Sequence, residues 1–208
     1  MSPLLATVTR RAFSVGLLAA LAMLGCGGGD DPATLSANFT ASPTATTPHL
    51  IKLVQKSKSG SRVVVQAVVY GPDVALDMYS FAFDVKIGDT SVVRYVDGLD
   101  VAGNALVPFA GQTIQKIVAT AVGDTSRVVV GVSKQGGGAG NGVAGTSAVI
   151  VELTFQVLKS GTTTLALTGA PGGSPVVLDS TGAVIAVMSF DAATAAMQGI
   201  SSGGSGGY

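Results

Sequence analysis

Between residues 49 and 192, apolar and polar side chains alternate along short runs that are separated by turn residues. In "MYSFAFDVKI" (78–87), Tyr79, Phe81, Phe83, Val85 and Ile87 fall on one side, and Ser80, Ala82, Asp84 and Lys86 on the other. "SAVIVELTFQVLK" (147–159) repeats the pattern, with Val149, Val151, Leu153, Phe155 and Val157 set against Glu152, Thr154 and Gln156. Successive side chains of a strand point to opposite faces, so each run predicts a strand with one face buried. "RVVVQAVVY" (62–70), "SVVRYV" (91–96), "TIQKIVATAV" (113–122) and "SRVVVGVSK" (126–134) predict further strands. So do "TTTLALT" (162–168), "PVVLD" (175–179) and "AVIAVMSF" (183–190). No segment carries a helical period. About nine strands with a turn every 8–15 residues or so predict an all-β fold, an antiparallel two-sheet β-sandwich of jelly-roll type.

The flanks read differently. Residues 1–25 hold Arg10 and Arg11 and no acid, followed by the apolar stretch "AFSVGLLAALAML" (12–24). As a helix it would span about 20 Å, short of the ~30 Å hydrocarbon core, which marks a signal peptide rather than a membrane span. "MLGC" (23–26) resembles the lipobox of bacterial lipoproteins. That resemblance implies cleavage before Cys26, diacylation of its thiol and a lipid anchor in the cell envelope. Several acyl chains on one residue hold a protein to a bilayer where one does not. "TRRAF" (9–13) resembles a twin-arginine export signal, and an ordinary basic n-region accounts for the same arginines. Residues 26–48, rich in Gly, Pro, Ser, Thr and Ala, read as a flexible linker, 49–192 as the domain, and 193–208 as a Gly/Ser-rich tail.

Composition narrows the chemistry. Twelve Lys and Arg balance twelve Asp and Glu, and no basic stripe offers itself to phosphates, which argues against nucleic acid. His49 and Cys26 are single representatives of their types, so a zinc site lacks ligands and no cofactor is expected. "GNGVAG" (140–145) has the glycine spacing of a dinucleotide site. No helix follows it and no acid stands about twenty residues on, so it reads as a flexible loop. "GGSGG" (203–207) has the spacing of a nucleophile elbow without a strand before it. Asp97 and Asp100 are the nearest approach to a carboxylate pair, placed in a turn where a surface calcium ion is the alternative use. Sugar-binding faces use exposed aromatic rings, above all Trp, which is absent. Tyr79, Phe81, Phe83 and Phe155 are expected inward; Tyr70, Tyr95 and Phe109 are the outward candidates.

The order of signals also resembles a known family. "SGSRVVVQAVVYG", the aromatic strand "YSFAFDVKIGD", "SVVRYVDGLDVAGNAL", "AVIVELTFQVLKSGTTTLALT" and "PVVLDSTGAVIAV" follow one another as in cohesin domains. Cohesins belong to the carbohydrate-binding-module-like β-sandwich superfamily. The resemblance implies a non-catalytic module that docks a protein partner, a calcium-loaded dockerin, in polysaccharide-degrading assemblies. Contacts would come from one outward sheet face, which on the aromatic strand carries Ser80, Ala82 and Asp84; the same three read equally as solvated strand positions. Two other readings share the fold: a carbohydrate-binding module taking polysaccharide, and a structural envelope component that pairs another chain along a sheet edge. The anchor is checked by metabolic labelling with a fatty acid: label enters the chain, and Cys26→Ser removes it.

Overall fold

The computed structural model describes residues 34–171 and 173–202. The expected signal peptide, Cys26, the first residues of the expected linker and the "GGSGG" of the tail lie outside the described residues. Fifteen strands and no helix make up the rest. They are β1 (Thr34–Thr40), β2 (Leu50–Ser59), β3 (Arg62–Tyr70), β4 (Asp73–Met78) and β5 (Ser80–Ile87). β6 (Val93–Tyr95), β7 (Val101–Ala102), β8 (Thr113–Ala121), β9 (Asp124–Gln135) and β10 (Asn141–Val143) follow. β11 (Ser147–Val157), β12 (Gly161–Thr168), β13 (Val176–Leu178), β14 (Ser189–Phe190) and β15 (Ala195–Ser202) complete the chain.

A seven-stranded sheet runs β1-β15-β12-β5-β9-β8, with β13 beside β5 beyond the end of β12; a six-stranded sheet runs β14-β2-β3-β11-β6, with β7 beside β11. β4 and β10 form a separate two-stranded sheet. Every pair is antiparallel except β14 with β2. The all-β sandwich is therefore as the alternation predicts.

The core forms where the two inner faces meet. β5 contributes Phe81, Phe83, Val85 and Ile87, and β3 contributes Val63, Val65, Ala67 and Val69, all buried. Leu153, Phe155 and Val157 of β11 join them. Tyr95 stands edge-on to Phe155 with ring centroids 6.0 Å apart, and Phe83 is tilted against Phe190 at 5.7 Å, separations at which aromatic pairs attract beyond their buried area.

Several expectations are corrected. The alternation of β11 breaks where Val149 faces Val68 while Val151 faces Ala67, leaving Ile150 as the extra residue of a bulge. Ile150 turns into the core and Val149 is only half-buried. Of "AVIAVMSF", only Ser189 and Phe190 form a strand and Val184 a lone bridge to Leu178, while Val184 and Val187 stay exposed. "GNGVAG" is not a loop, because its centre is β10. A Cβ on Gly140 would lie 2.4 Å from the backbone of Asp77, and one on Gly142 2.5 Å from that of Val74, so glycine is what lets β10 approach β4.

The domain is also longer than 49–192. β1 pairs residue for residue with β15, from Thr34 opposite Ser202 to Thr40 opposite Ala196, so linker and tail residues close the seven-stranded sheet together. Ala37, Phe39, Ala195 and Met197 are their core-facing side chains. The segment between β1 and β2 is tied down as well. Ser42 and Thr44 donate hydroxyl hydrogen bonds to the buried carboxylate of Asp191, and Lys52 Nζ donates to the carbonyl of Thr44 at 2.5 Å. Phe155→Ala, which empties the contact between Tyr95 and the β3–β11 layer, should cost about 3–5 kcal/mol, read as a lower denaturant midpoint at unchanged slope.

Candidate docking face

With Phe81, Phe83, Val85 and Ile87 turned inward, the period of two leaves Ser80, Ala82, Asp84 and Lys86 on the outer face of β5. Register sets their neighbours. Ala82 lies opposite Gly131 of β9, which lies opposite Ile117 of β8, and on the other side Ala82 faces Val176 of β13. Ser80 aligns with Ser133, which in turn aligns with Gln115. The middle of this outer face is thus built from Ala, Gly and Ser, with nothing tall at its centre.

Asp84 departs from its expected role. Its side chain is 3 % exposed, because Arg127 of β9 lies over it, donating from Nε at 3.0 Å and Nη2 at 2.5 Å to the same carboxylate oxygen. What the face offers at that corner is the guanidinium and the exposed Lys86, while Asp84 holds Arg127 in place. Ala82 is exposed and Ser80 half-buried, so these two do lie at the surface.

Neither a family model nor a curated protein sequence matches the chain. Solved structures do. The type II cohesin dyad of the adaptor scaffoldin ScaA of Acetivibrio cellulolyticus superposes with a TM-score of 0.50 at 13 % identity, over 71 % of this chain and 48 % of that one. The fold is cohesin-like. A type II cohesin–X-module–dockerin complex of the same organism gives 0.47 at 12 % identity, over 74 % of this chain and 94 % of that chain. A type II cohesin domain from its cellulosome gives 0.45 at 15 %, over 72 % and 95 %. At such identities, 12–15 %, the likeness is one of fold alone.

The other sequence candidates fall elsewhere and do not converge. Tyr95, expected outward, is buried, and its hydroxyl donates to Asp100 Oδ1 at 2.6 Å. Burial first, and then the Asp100 carboxylate, raise the phenol far above its ordinary pKa. Tyr79, expected inward, lies between β4 and β5 and is half-buried. Tyr70 is half-buried at the end of β3, and Phe109 is 52 % exposed in the segment before β8, its ring 4.1 Å from the buried Lys134 ammonium. Phe81, Phe83 and Phe155 are inside as expected. His49 Nε2 lies 2.9 Å from Asp73 Oδ2.

Asp97 and Asp100 do not act as a pair. Asp97 accepts from Thr120 Oγ1 at 3.3 Å and lines an open cleft of about 300 Å³ with Arg94, Thr120 and Thr125. Asp100 turns inward, where Lys116 and Tyr95 donate to its carboxylate. Among the described residues no group of three or more His, Cys, Asp or Glu is placed to hold a metal ion. Asp77, which sequence reasoning passed over, accepts from the Ser180 hydroxyl at 2.5 Å and from the Gly140 amide, tying β4 to β10 and to the turn after β13.

Burial by itself would raise the carboxyls of Asp100, Asp191 and Glu152, but their donors outweigh it and hold each below its usual range. Those donors are Lys116 and Tyr95, Ser42 and Thr44, and Lys56 and Gln66, respectively. A carboxyl depressed in the folded state stabilises the fold fully above its unfolded pKa of about 4, and that contribution disappears as pH falls through the folded value. Urea midpoints should therefore hold steady down to about pH 5 and drop between about pH 4 and 2.

Proposed function

We propose that this chain is a non-catalytic, lipid-anchored protein of the bacterial cell envelope that docks a dockerin-type protein module on the outer face of its seven-stranded sheet. The observation that carries the reading is the flat centre of that face, Ala82 beside Gly131 and Ser80 beside Ser133, on a cohesin-like sandwich. β8, β9 and β5 at about 4.8 Å spacing and about eight residues deep, with the three-residue β13 beside one end of β5, present about 400 Å² of projected sheet. That is the order of a standard interface of about 800 Å² of accessible surface per partner. Ile117 and Val176 supply apolar contact on either side of the small residues, and at one corner the exposed Lys86 stands beside Arg127, which is already paired with Asp84. An enzyme active on polysaccharide, carried by the docked module, is the cargo that such a role implies.

The anchor is part of the same proposal. It is supported by the apolar stretch 12–24 ending at "MLGC", and β1 begins at Thr34, so only residues 27–33 separate Cys26 from the first strand. Polysaccharide as a direct ligand draws less support, since of its three outward aromatic candidates Tyr95 is buried.

The test is calorimetric titration of the chain with calcium-loaded dockerin modules of its own organism. Wild type should bind one of them and lose binding on chelation. Ala82→Arg, on an exposed position, should weaken it by a hundredfold or more while leaving the melting temperature unchanged. Undiminished binding by Ala82→Arg would move the site off this face. Retardation by soluble polysaccharide without any protein partner would replace docking by sugar binding.

A further inference from the structure

Residues 34–202 hold ten bases and ten acids, but the two signs collect at opposite ends of the strands. One end carries the start of β1 and the finish of β15, with Thr34 opposite Ser202. Three turns come to the same end. The β2–β3 turn does so because its Gly60 carbonyl accepts from the Ala37 amide, and the β11–β12 turn because it leads into Gly161 opposite Gly199. The β8–β9 turn joins them, since β9 sets out where β5 finishes, Arg127 opposite Lys86.

Lys58 and Lys159 stand beside these turns, Arg62 and Arg94 flank Gln156 of β11, and Lys86 is the last outward residue of β5. All five are exposed, and among the described residues none lies within ion-pair distance of a carboxylate. The other charges here are Asp89 and Asp124, besides the closed pairs Lys56–Glu152 and Arg127–Asp84. Five bases against two acids leave an excess of three positive charges. The opposite end, where β3 finishes and β5 begins, reverses the balance. Asp73, Asp77, Asp179 and Asp191 lie there, with His49 beside Asp73, and its bases Lys52 and Lys134 are both buried. No run of bases marks the basic end in the sequence, because only the fold gathers positions 58 to 159.

We infer that the basic end is a membrane-contact surface, laid against the anionic phospholipid headgroups of the bilayer that holds the chain, the anchor on Cys26 being taken as proposed above. The tether points to a bilayer as the occupant. Eight residues lead from Cys26 to Thr34, about 28 Å at full extension, and Thr34 is at the basic end. The acidic end lies farther off by the length of a strand, about 30 Å for β3. That tether alone would let the sandwich lie on its side, and charge decides between the two poses. Headgroups attract one end and repel the other. Each net positive charge near an anionic surface is worth about fivefold in affinity, so an excess of three gives about a hundredfold. Leu158, 40 % exposed, and Val122, fully exposed, sit in two of the turns and give the same end apolar tips for the headgroup layer. The strands then stand off the bilayer, and the outer face of β8, β9 and β5 looks sideways, open to a docked module.

The test reconstitutes the lipidated chain into phosphatidylcholine vesicles with and without phosphatidylglycerol. With the Cys26 thiol acylated, an introduced thiol is unique and carries an environment-sensitive fluorophore. It is placed at Leu158→Cys in the basic end, or at Val184→Cys, opposite Leu178 at the acidic end. The label at 158 should shift to the blue only with phosphatidylglycerol, and lose the shift in about 1 M salt, where the screening length falls to about 3 Å. The label at 184 should not respond. Lys58→Glu, Arg62→Glu and Lys159→Glu together, all on exposed positions, should abolish the response at an unchanged melting temperature. An equal response at both labels, a shift without phosphatidylglycerol, or one that survives the triple reversal overturns the inference. So does capture by a soluble anionic polymer in preference to the vesicles. Fatty-acid labelling reads the anchor separately. A chain found to carry no lipid should still float with phosphatidylglycerol vesicles about a hundredfold better than with phosphatidylcholine alone, which keeps this surface and removes only the anchor. Loss of that preference overturns the surface as well.

Discussion

Everything in this sandwich depends on the contact between the inner row of β5 and the inner rows of β3 and β11. Phe81, Phe83, Val85 and Ile87 are buried in one layer with Val63, Val65, Leu153 and Phe155, and that dry layer holds the two sheets together. The period of two then leaves little choice outside. Once the large residues of β5 are inside, its outer row is Ser80, Ala82, Asp84 and Lys86, and the outer residues alongside on β9 are Ser133, Gly131, Val129 and Arg127. A flat surface follows from having placed the bulk of both strands in the core. Asp84 and Arg127 show what happens where the outer row carries charge. A carboxylate between two central strands is shielded from water, and a guanidinium reaching from the next strand compensates it with two hydrogen bonds from one side chain.

The closing pair β1–β15 has a different character from the centre. Its core-facing residues are mostly small or flexible, Ala37, Ala195 and Met197, with Phe39 as the exception. Its outer positions are Ser, Thr, Asn and Gln with Ala196 among them, and Ile200 is exposed. The pair is held by backbone hydrogen bonds along a long register and by the Asp191 cluster at one end. Thr34 and Ser202 therefore stand opposite each other at one end of the sheet, and the first described strand has the last as its inner neighbour.

Where the sequence could be read, burial and periodicity agreed. "RVVVQAVVY" is β3 to the residue, and "TIQKIVATAV" and "SRVVVGVSK" lie within a residue or two of β8 and β9. The failures have physical causes. β2 holds its apolar residues in its first half, interrupted by the buried Lys52, and Lys56 and Lys58 in its second, so "LIKLVQKSKS" has no regular alternation; a register shift between Gln55 and Ser57 divides it further. β1 does alternate Leu35, Ala37 and Phe39, but Ser, Thr and Asn between them give the composition of a linker, and its partner lies more than 150 residues away. Tyr95 looked outward because its run is short, and only its hydrogen bond to Asp100 shows why a phenol is stable inside. On the candidate face, the alternation placed Ser80 and Ala82 at the surface. It could not place Asp84, since the residue that covers it comes from a strand 43 positions later.

β8 stands at the rim of the candidate face, and its two sides serve different ends. Its outer residues Gln115, Ile117 and Ala119 complete the face beside Ser133, Gly131 and Val129. Its inner Lys116 donates to the carboxylate of Asp100, which also accepts from the Tyr95 hydroxyl, so a charge network ties this rim strand to the opposite sheet. An inward charge in the middle of an edge strand opposes pairing with a further strand, because such pairing would bury it more deeply. The same lysine therefore holds the rim of the face in place and keeps its open edge from extending the sheet, which leaves the outer side chains of β8 available to a docked module.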